Sequence, residues 1–421
     1  MLSIFEIAAL LLALSGMFGW INHVTFKLPH TIGLLVFALL ASLCLLFAEK
    51  LYPALGITDT FQEIIGQIDF YSTVMEGMLA FLLFAGALHV NFEKMADQKW
   101  PISLMATVGV ILSTFIVGTG FYYLVQLFGI TIPYAWALVF GALISPTDPV
   151  AVLSLLKSVN VPASLEAKIA GESLFNDGVG VVVFTIVVAI AVGAGSSNEG
   201  IDFLHIGELF VVEAIGGAIL GLVTGWIAYR AMSHMDEYTL EILISLGVVA
   251  ATYAIALRLH LSGPIAVVIT GLLMGNRGVR VGMSEKTAEH LFSFWHLVDE
   301  ILNSVLFLLI GLEILIVAID PSFAWIVFVT IPLVLFARMC AVSLPILLLS
   351  KFQTFTAGAI PVLTWGGLRG GISVALVLSL PNTEYKPLLL TATFGVVLFS
   401  VIVQGLTVKN VISKTVDPTL V

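Results

Sequence analysis

The chain is 421 residues long, 59% hydrophobic and only 10% charged, with a mean hydropathy of +1.11. No water-soluble domain of this size carries so few charges, so the composition specifies a polytopic membrane protein. A formal charge of -10, from 17 basic and 27 acidic residues, argues against nucleic acid and against a polybasic lipid-binding surface.

In chain order, apolar stretches of about 17 to 25 residues, the length that crosses a bilayer, predict thirteen helices. They cover residues 2–22, 30–48, 74–90, 101–128, 133–156, 165–194, 206–232, 238–257, 263–275, 289–316, 323–350, 357–381 and 386–408. The first carries Glu6 and lacks a basic leader or a small-x-small cleavage site, so it reads as a retained span. The tail after the last span is too short to fold alone, and no appended regulatory domain is expected. Cys44 and Cys340 both lie inside apolar runs, which gives no support to a disulfide or a thiolate metal site and suggests two buried small hydrophobes.

Thirteen spans put the termini on opposite sides, and the Lys/Arg bias of the connections chooses between them. With the N-terminus outside and the C-terminus cytoplasmic, the inner connections hold Lys27, Lys94, Lys99, Lys157, Lys168, Arg230, Arg277, Arg280, Lys286, Lys351, Lys409 and Lys414. The outer ones hold only Lys50, Arg258 and Lys386. Arg338 and Arg369 fall inside apolar spans.

Two spans are interrupted. The fifth contains Ser145-Pro146-Thr147-Asp148-Pro149, where two prolines remove amide donors and free carbonyls at membrane depth. The twelfth contains Gly366-Gly367-Leu368-Arg369-Gly370-Gly371, four glycines around one arginine. If spans 1–6 and 8–13 are two repeats joined by the seventh, each break is the fifth span of its repeat. The odd connector makes the repeats inverted, and matched breaks point to a transporter's binding site. Two unrelated kinks are the plainer alternative.

The sixth span opens with Gly171-Glu172-Ser173-Leu174-Phe175-Asn176-Asp177-Gly178 and stays apolar to about residue 193. A carboxylate at bilayer depth costs roughly 3 kcal/mol or more, so Asp177 is expected to have a function. Ser173 is four residues away on the same face, with Asn176 adjacent, and together they offer oxygen ligands. Glu172 lies about 140° round the helix from Asp177. It therefore faces another neighbour, and Arg338 is the natural partner, since an isolated guanidinium in an apolar segment must be paired. Gly178 and Gly180 leave the helix bare beside Asp177, where another backbone, such as the broken fifth span, can approach.

At the breaks, Thr147 supplies a hydroxyl and a carbonyl, Asp148 neutralises a positive half-helix end, and Arg369 does the reverse for exposed carbonyls at the second break. For Asp148, Glu172, Arg338 and Arg369 a structural role stands beside direct substrate contact. Glu76, at the start of the third span, either reaches the same cavity as a ligand or is an ordinary interfacial carboxylate. His290 and His296 do not share a helical face as metal ligands would, and His89, His234 and His260 near span ends read as interfacial. Trp20, Trp100, Trp136, Trp295 and Tyr122 fit interface belts. No GxxxxGK[ST] or GxSxG occurs in a usable context, and no paired nucleophile and base or metal cluster appears, so neither an ATP-driven pump nor an enzyme is indicated.

The two breaks, the octapeptide at 171–178 and Leu306-Phe307-Leu308-Leu309-Ile310-Gly311-Leu312-Glu313 together resemble the monovalent cation:proton antiporter family that holds the bacterial NhaP-type exchangers and the animal sodium/proton exchangers. The combination is far more specific than any one motif. The resemblance implies an all-α fold of about thirteen transmembrane helices, two inverted six-helix repeats with broken helices 5 and 12 crossing in the core. It implies a scaffold and dimer part near 1–92 and 233–320, an ion-transport core near 100–195 and 321–410, and a connector near 206–232. It also implies a homodimer in a bacterial inner membrane, and no cofactor. Asn176-Asp177 would be the family's Asn-Asp pair, with Thr147, Ser173 and Asp177 as oxygen ligands of the transported cation. Asp148 would steady the crossing and Glu172 would bridge to Arg338. One departure is Leu83-Phe84-Ala85-Gly86, where family members often carry an acid.

The physical argument runs beside the resemblance. Desolvation favours the neutral form of a carboxylate and a bound cation favours the ionised form, so proton and cation compete for one group. With Asn176 in place of a second acid, one carboxylate needs neutralising, and electroneutral exchange of one cation for one proton follows. Hard oxygen ligands suit Na+, Li+ and K+ alike. Na+ (or Li+) for H+ is the expected exchange, K+/H+ antiport the alternative on the same scaffold, and a cation channel or a non-transporting sensor the alternative of another class.

Overall fold

The computed structural model describes residues 3–52, 62, 65–148, 161–193, 203–234, 236–278, 283–316, 323–353 and 355–415. In chain order the spans are α1 (Ile4–Val24), α2 (His30–Leu51), α3 (Ser72–His89), α4 (Lys99–Leu127), α5 (Tyr134–Ile144), α6 (Ala163–Gly193) and α7 (Phe203–Met232). They continue as α8 (Tyr238–Arg258), α9 (Gly263–Leu273), α10 (Glu285–Glu313), α11 (Ala324–Leu349), the pair α12a (Ala359–Trp365) and α12b (Gly371–Leu378), and α13 (Lys386–Thr415). Among the described residues ten helices are long and apolar enough to cross a membrane, α5 and α9 are shorter, and α12a with α12b makes one interrupted span. The expected thirteen spans are therefore present, although the continuation of span 5 through residues 149–156 lies outside the described residues.

Local signals set the helix starts. Ser3 and Glu6 form a reciprocal cap at α1, satisfying two of the amides that a helix start leaves unpaired. Ser262 caps α9 with Pro264 in the first turn, and Ser284 caps α10. Among the described residues four spans carry a π-helical turn: Ser72–Met78 opening α3, Met105–Gly109 in α4, Met274–Gly278 continuing α9 and Phe399–Gln404 in α13. A π turn shifts the register of a helix by one residue and occurs often beside functional sites.

Phe5 of α1, Trp226 of α7 and Phe328 of α11 are exposed, as suits faces solvated by lipid. Three expectations are corrected here. Trp295 is fully buried, stacked near Phe81 and Phe84 and donating its indole N–H to Ser245 Oγ at 2.9 Å, and Trp136 is buried too. Each sits at the end of an apolar run, which is where a belt residue sits in sequence, but its neighbours are protein. Cys44 is exposed on α2 and Cys340 is half-buried on α11, so neither is enclosed as a core residue.

α1–α6 and α8–α13 are the two repeats, with α7 between them, and each breaks in its fifth span. The breaks meet. Asp148 and Leu368 form an antiparallel bridge, with the Asp148 N–H donating to the Leu368 carbonyl at 2.8 Å. Extended chain within the membrane is tolerated where its polar backbone groups find partners, here the Asp148 N–H on Leu368 and the Leu368 N–H on the Gly366 carbonyl at 2.9 Å.

Candidate functional site

Around this bridge the two breaks exchange charges. Arg369, 2% exposed, donates from Nη1 to the Ser145 carbonyl and, at 2.9 Å, to the Pro146 carbonyl. These are the free acceptors at the C-terminal, negative end of α5. Arg369 thus serves the first break, not the second as the sequence suggested, because it directly follows Leu368, whose bridge to Asp148 brings the two breaks together. In return, the Asp148 carboxylate lies against Gly370, at the N-terminal, positive end of α12b, where a Cβ would collide with it. The second break's own carbonyl, that of Leu363 in α12a, accepts from Arg338 Nε at 3.2 Å and Nη2 at 3.1 Å.

α6 supplies the opposing wall. Arg338 Nη1 donates to Glu172 Oε1 and Nη2 to Oε2, each at 2.7 Å, a bidentate pair buried at both ends. Asn176 Nδ2 donates to Glu172 Oε1 at 2.8 Å and to Thr147 Oγ1 at 3.2 Å. Thr147 Oγ1 is 3.1 Å from Ser173 Oγ. Thr147, Ser173 and Asn176 are therefore linked where α6 faces the first break, all buried, and Asp177, also buried, follows Asn176 directly and Ser173 by four residues on the same helix. Asn176 Oδ1 has no hydrogen-bond partner among the described residues, so the cluster keeps a spare oxygen acceptor. The approach is close because Gly180 lies under the Pro146 ring, and Gly178 makes room for Ile265 of α9.

A cavity of about 700 Å³ reaches Asp177, next to this cluster. Asp177, Asp148 and Leu174 lie at its deep end, and Lys27, Asn91, Lys94 and Glu166 near its mouth. Its walls include His30, His89, His296, Asp299, Glu300 and Asn303, which sequence reasoning did not connect with the site. The helical register of His89, Asp299 and Asn303 is readable, but which faces of α3 and α10 line a cavity is not. Glu76 does not line this cavity, and its side chain is exposed on the π turn at the far end of α3.

A buried carboxylate at the end of a water-sized path, on the helix that also presents Ser173 and Asn176 to Thr147 at the break, can bind a proton or a hard cation. Comparison with known proteins agrees. The family described as "Sodium/hydrogen exchanger, transmembrane" matches residues 7–414. The chain belongs to this sodium/hydrogen exchanger family. It is 43% identical over 418 residues to the Na(+)/H(+) antiporter NhaP of Pseudomonas aeruginosa, covering 97% of this chain and 96% of that protein. It is 39% identical to the Na(+)/H(+) antiporter NhaH of Halobacillus dabanensis, over 82% of this chain and 83% of that protein. In fold, this exchanger resembles the sodium proton antiporter MjNhaP1 from Methanocaldococcus jannaschii, with a TM-score of 0.73 at 20% identity, covering 97% of each chain.

Proposed function

We propose that this protein is a secondary active antiporter exchanging Na+ (or Li+) for H+ across a bacterial inner membrane, one for one, by alternating access. The observation that carries the reading is Asp177, buried beside the Thr147–Ser173–Asn176 cluster yet reached by the cavity. Proton and cation compete for its carboxylate, which couples their fluxes when only the neutralised site can change sides. Thr147 and Ser173 join Asp177 as oxygen ligands of the transported Na+, with Asn176 beside them, while Asp148, Glu172, Arg338 and Arg369 compensate charge. That the relatives are Na(+)/H(+) antiporters favours Na+ over K+.

The cavity supports a division into a scaffold, residues 1–92 and 233–320, and a moving core, residues 100–195 and 321–410, with 206–232 connecting them. Its walls come from α2, α3 and α10 on one side and from α6 and α12b on the other. The positive-inside bias puts the N-terminus outside and the C-terminus in the cytoplasm. Lys27 and Lys94 at the mouth then make this an inward-facing state. A homodimer through the scaffold fits this division.

The test is proton flux in reconstituted liposomes. Cation addition should release protons with Na+ or Li+, Asp177→Asn should abolish the response, and membrane potential should leave its rate unchanged. Substantial flux in Asp177→Asn refutes the site, and a current that reverses with potential refutes one-for-one exchange.

A further inference from the structure

Glu241 is a buried acid that the exchange of ions at Asp177 leaves unused. It lies in the first turn of α8, 0% exposed, and neither of its carboxylate oxygens has a hydrogen-bond partner. A carboxylate enclosed in this way must be neutralised, by a proton or by a cation. No basic side chain among the described residues is bonded to it.

The packing of α8 on α10 sets its direction. Ser245, one turn further along the same face of α8, accepts the Trp295 indole N–H at 2.9 Å, and the Tyr238 ring lies 4.7 Å from that of His290. Glu241 therefore faces the first two turns of α10, where Thr287 and Leu291 are buried. A second carboxylate is fixed at the same place. Asp236, just before α8, accepts at Oδ1 from Ser284 Oγ at 2.7 Å and from Thr287 Oγ1 at 2.9 Å, and its charge is close enough to act on Glu241. The positive end of α10 offsets part of the Asp236 charge, but Glu241 takes no hydrogen bond from it. Asp236 is exposed, so an ion from solution can reach this end of the helix pair.

We propose that Glu241, Asp236, Ser284 and Thr287 form a binding site for a divalent hard cation, Ca2+ or Mg2+, at the cytoplasmic end of the scaffold and separate from Asp177. Two carboxylates match the charge of such an ion, and carboxylate and hydroxyl oxygens, completed by water, are the ligands it prefers. The ion turns the repulsion between Asp236 and Glu241 into shared coordination and ties the start of α8 to the start of α10. Further along, α10 carries Asp299, Glu300 and Asn303 into the wall of the main cavity. The site thus braces that wall without touching the transported ion, and the assignment does not depend on which ions are exchanged.

The test uses the purified full chain, freed of divalent ions by a chelator and kept at constant NaCl. Ca2+ and Mg2+, added separately, are followed by thermal unfolding, and Ca2+ also by equilibrium dialysis. At least one of the two ions should raise the unfolding temperature by about 3 °C or more, in wild type and in Asp177→Asn alike. Glu241→Gln, which keeps the shape and removes the charge, should weaken that binding at least tenfold, and Asp236→Asn should do the same. If neither ion stabilises or binds the wild-type chain, Glu241 holds a proton only and the proposal falls. A shift that disappears in Asp177→Asn but survives in Glu241→Gln gives the ion to the transport site and overturns the assignment, as does equal binding by wild type and Glu241→Gln. Should Asp236→Asn fail to fold, Glu241→Gln alone decides.

Discussion

Asn176 donates its amide to the same Glu172 oxygen that Arg338 grips, at 2.8 and 2.7 Å, so the neighbour of Asp177 is fixed by a buried ion pair one turn away. Asparagine is needed there as a donor. Its Oδ1 stays unbonded while its nitrogen serves both Glu172 and Thr147.

Asn176→Asp replaces that donor by a carboxylate facing a carboxylate. We expect a loss of about 1.5–3 kcal/mol, the worth of a hydrogen bond to a charged group, seen as a lower unfolding temperature of the purified protein at neutral pH. An unchanged transition would show that the Asn176 amide does not hold this wall together.

Arg338→Ala strands the Glu172 charge and releases the Leu363 carbonyl, so folding should suffer before transport does, by about 3–5 kcal/mol. Removing both charges, with Glu172→Gln and Arg338→Met together, should recover part of the loss. A double variant no more stable than Arg338→Ala alone would argue that the pair does not act as a unit.

Gly180→Ala pushes a methyl group into the Pro146 ring, and a proline at a backbone break cannot give way as a flexible side chain would. The cost should be about 1–3 kcal/mol. Gly16→Ala on α1, where a Cβ meets nothing within 4 Å, is the control and should be neutral or stabilising. Thermal unfolding of the two variants side by side checks this, and equal behaviour would contradict the close approach of α6 to the break.

Asp69 lies outside the spans, and hydrogen bonds from the Ser72 hydroxyl and amide hold its carboxyl below the ordinary carboxylate range. A depressed folded value means that its contribution to stability is present above the unfolded value, about 4, and is lost as pH falls through the folded one. The difference in unfolding temperature between wild type and Asp69→Asn should therefore persist at pH 4 and vanish only below it. Ser72→Ala should shift that loss upward in pH; an identical profile would remove the cap as its cause.

Much of this was legible in the sequence for identifiable reasons. Span number followed from hydropathy, because each helix must cover the bilayer by itself. The breaks were visible because Pro146, Pro149 and the glycines from 366 to 371 cannot continue a helix. Glu172 and Arg338 were expected as partners because neither charge can stay alone in the membrane. What escaped were facts of tertiary direction. Arg369 sits among the glycines of one break, yet its guanidinium serves the other. His30, His89 and His296 lie near helix ends or on mixed faces, and only the packing of α2, α3 and α10 turns them toward one cavity. Trp295 resembled a belt residue until Ser245 and two phenylalanines enclosed it.

The exchange of Arg369 and Asp148 between the breaks bears on biogenesis. The carbonyls of Ser145 and Pro146 enter the membrane with the first repeat, but the cation that serves them arrives with the second. Until α12 inserts, the first crossing segment waits half-compensated, and a chain truncated after α7 would leave it so. Two duplicated halves that each hold the other's counter-charge cannot be separate folding units. The twelfth span completes the fifth, so assembly of this exchanger is committed only once the second repeat has inserted.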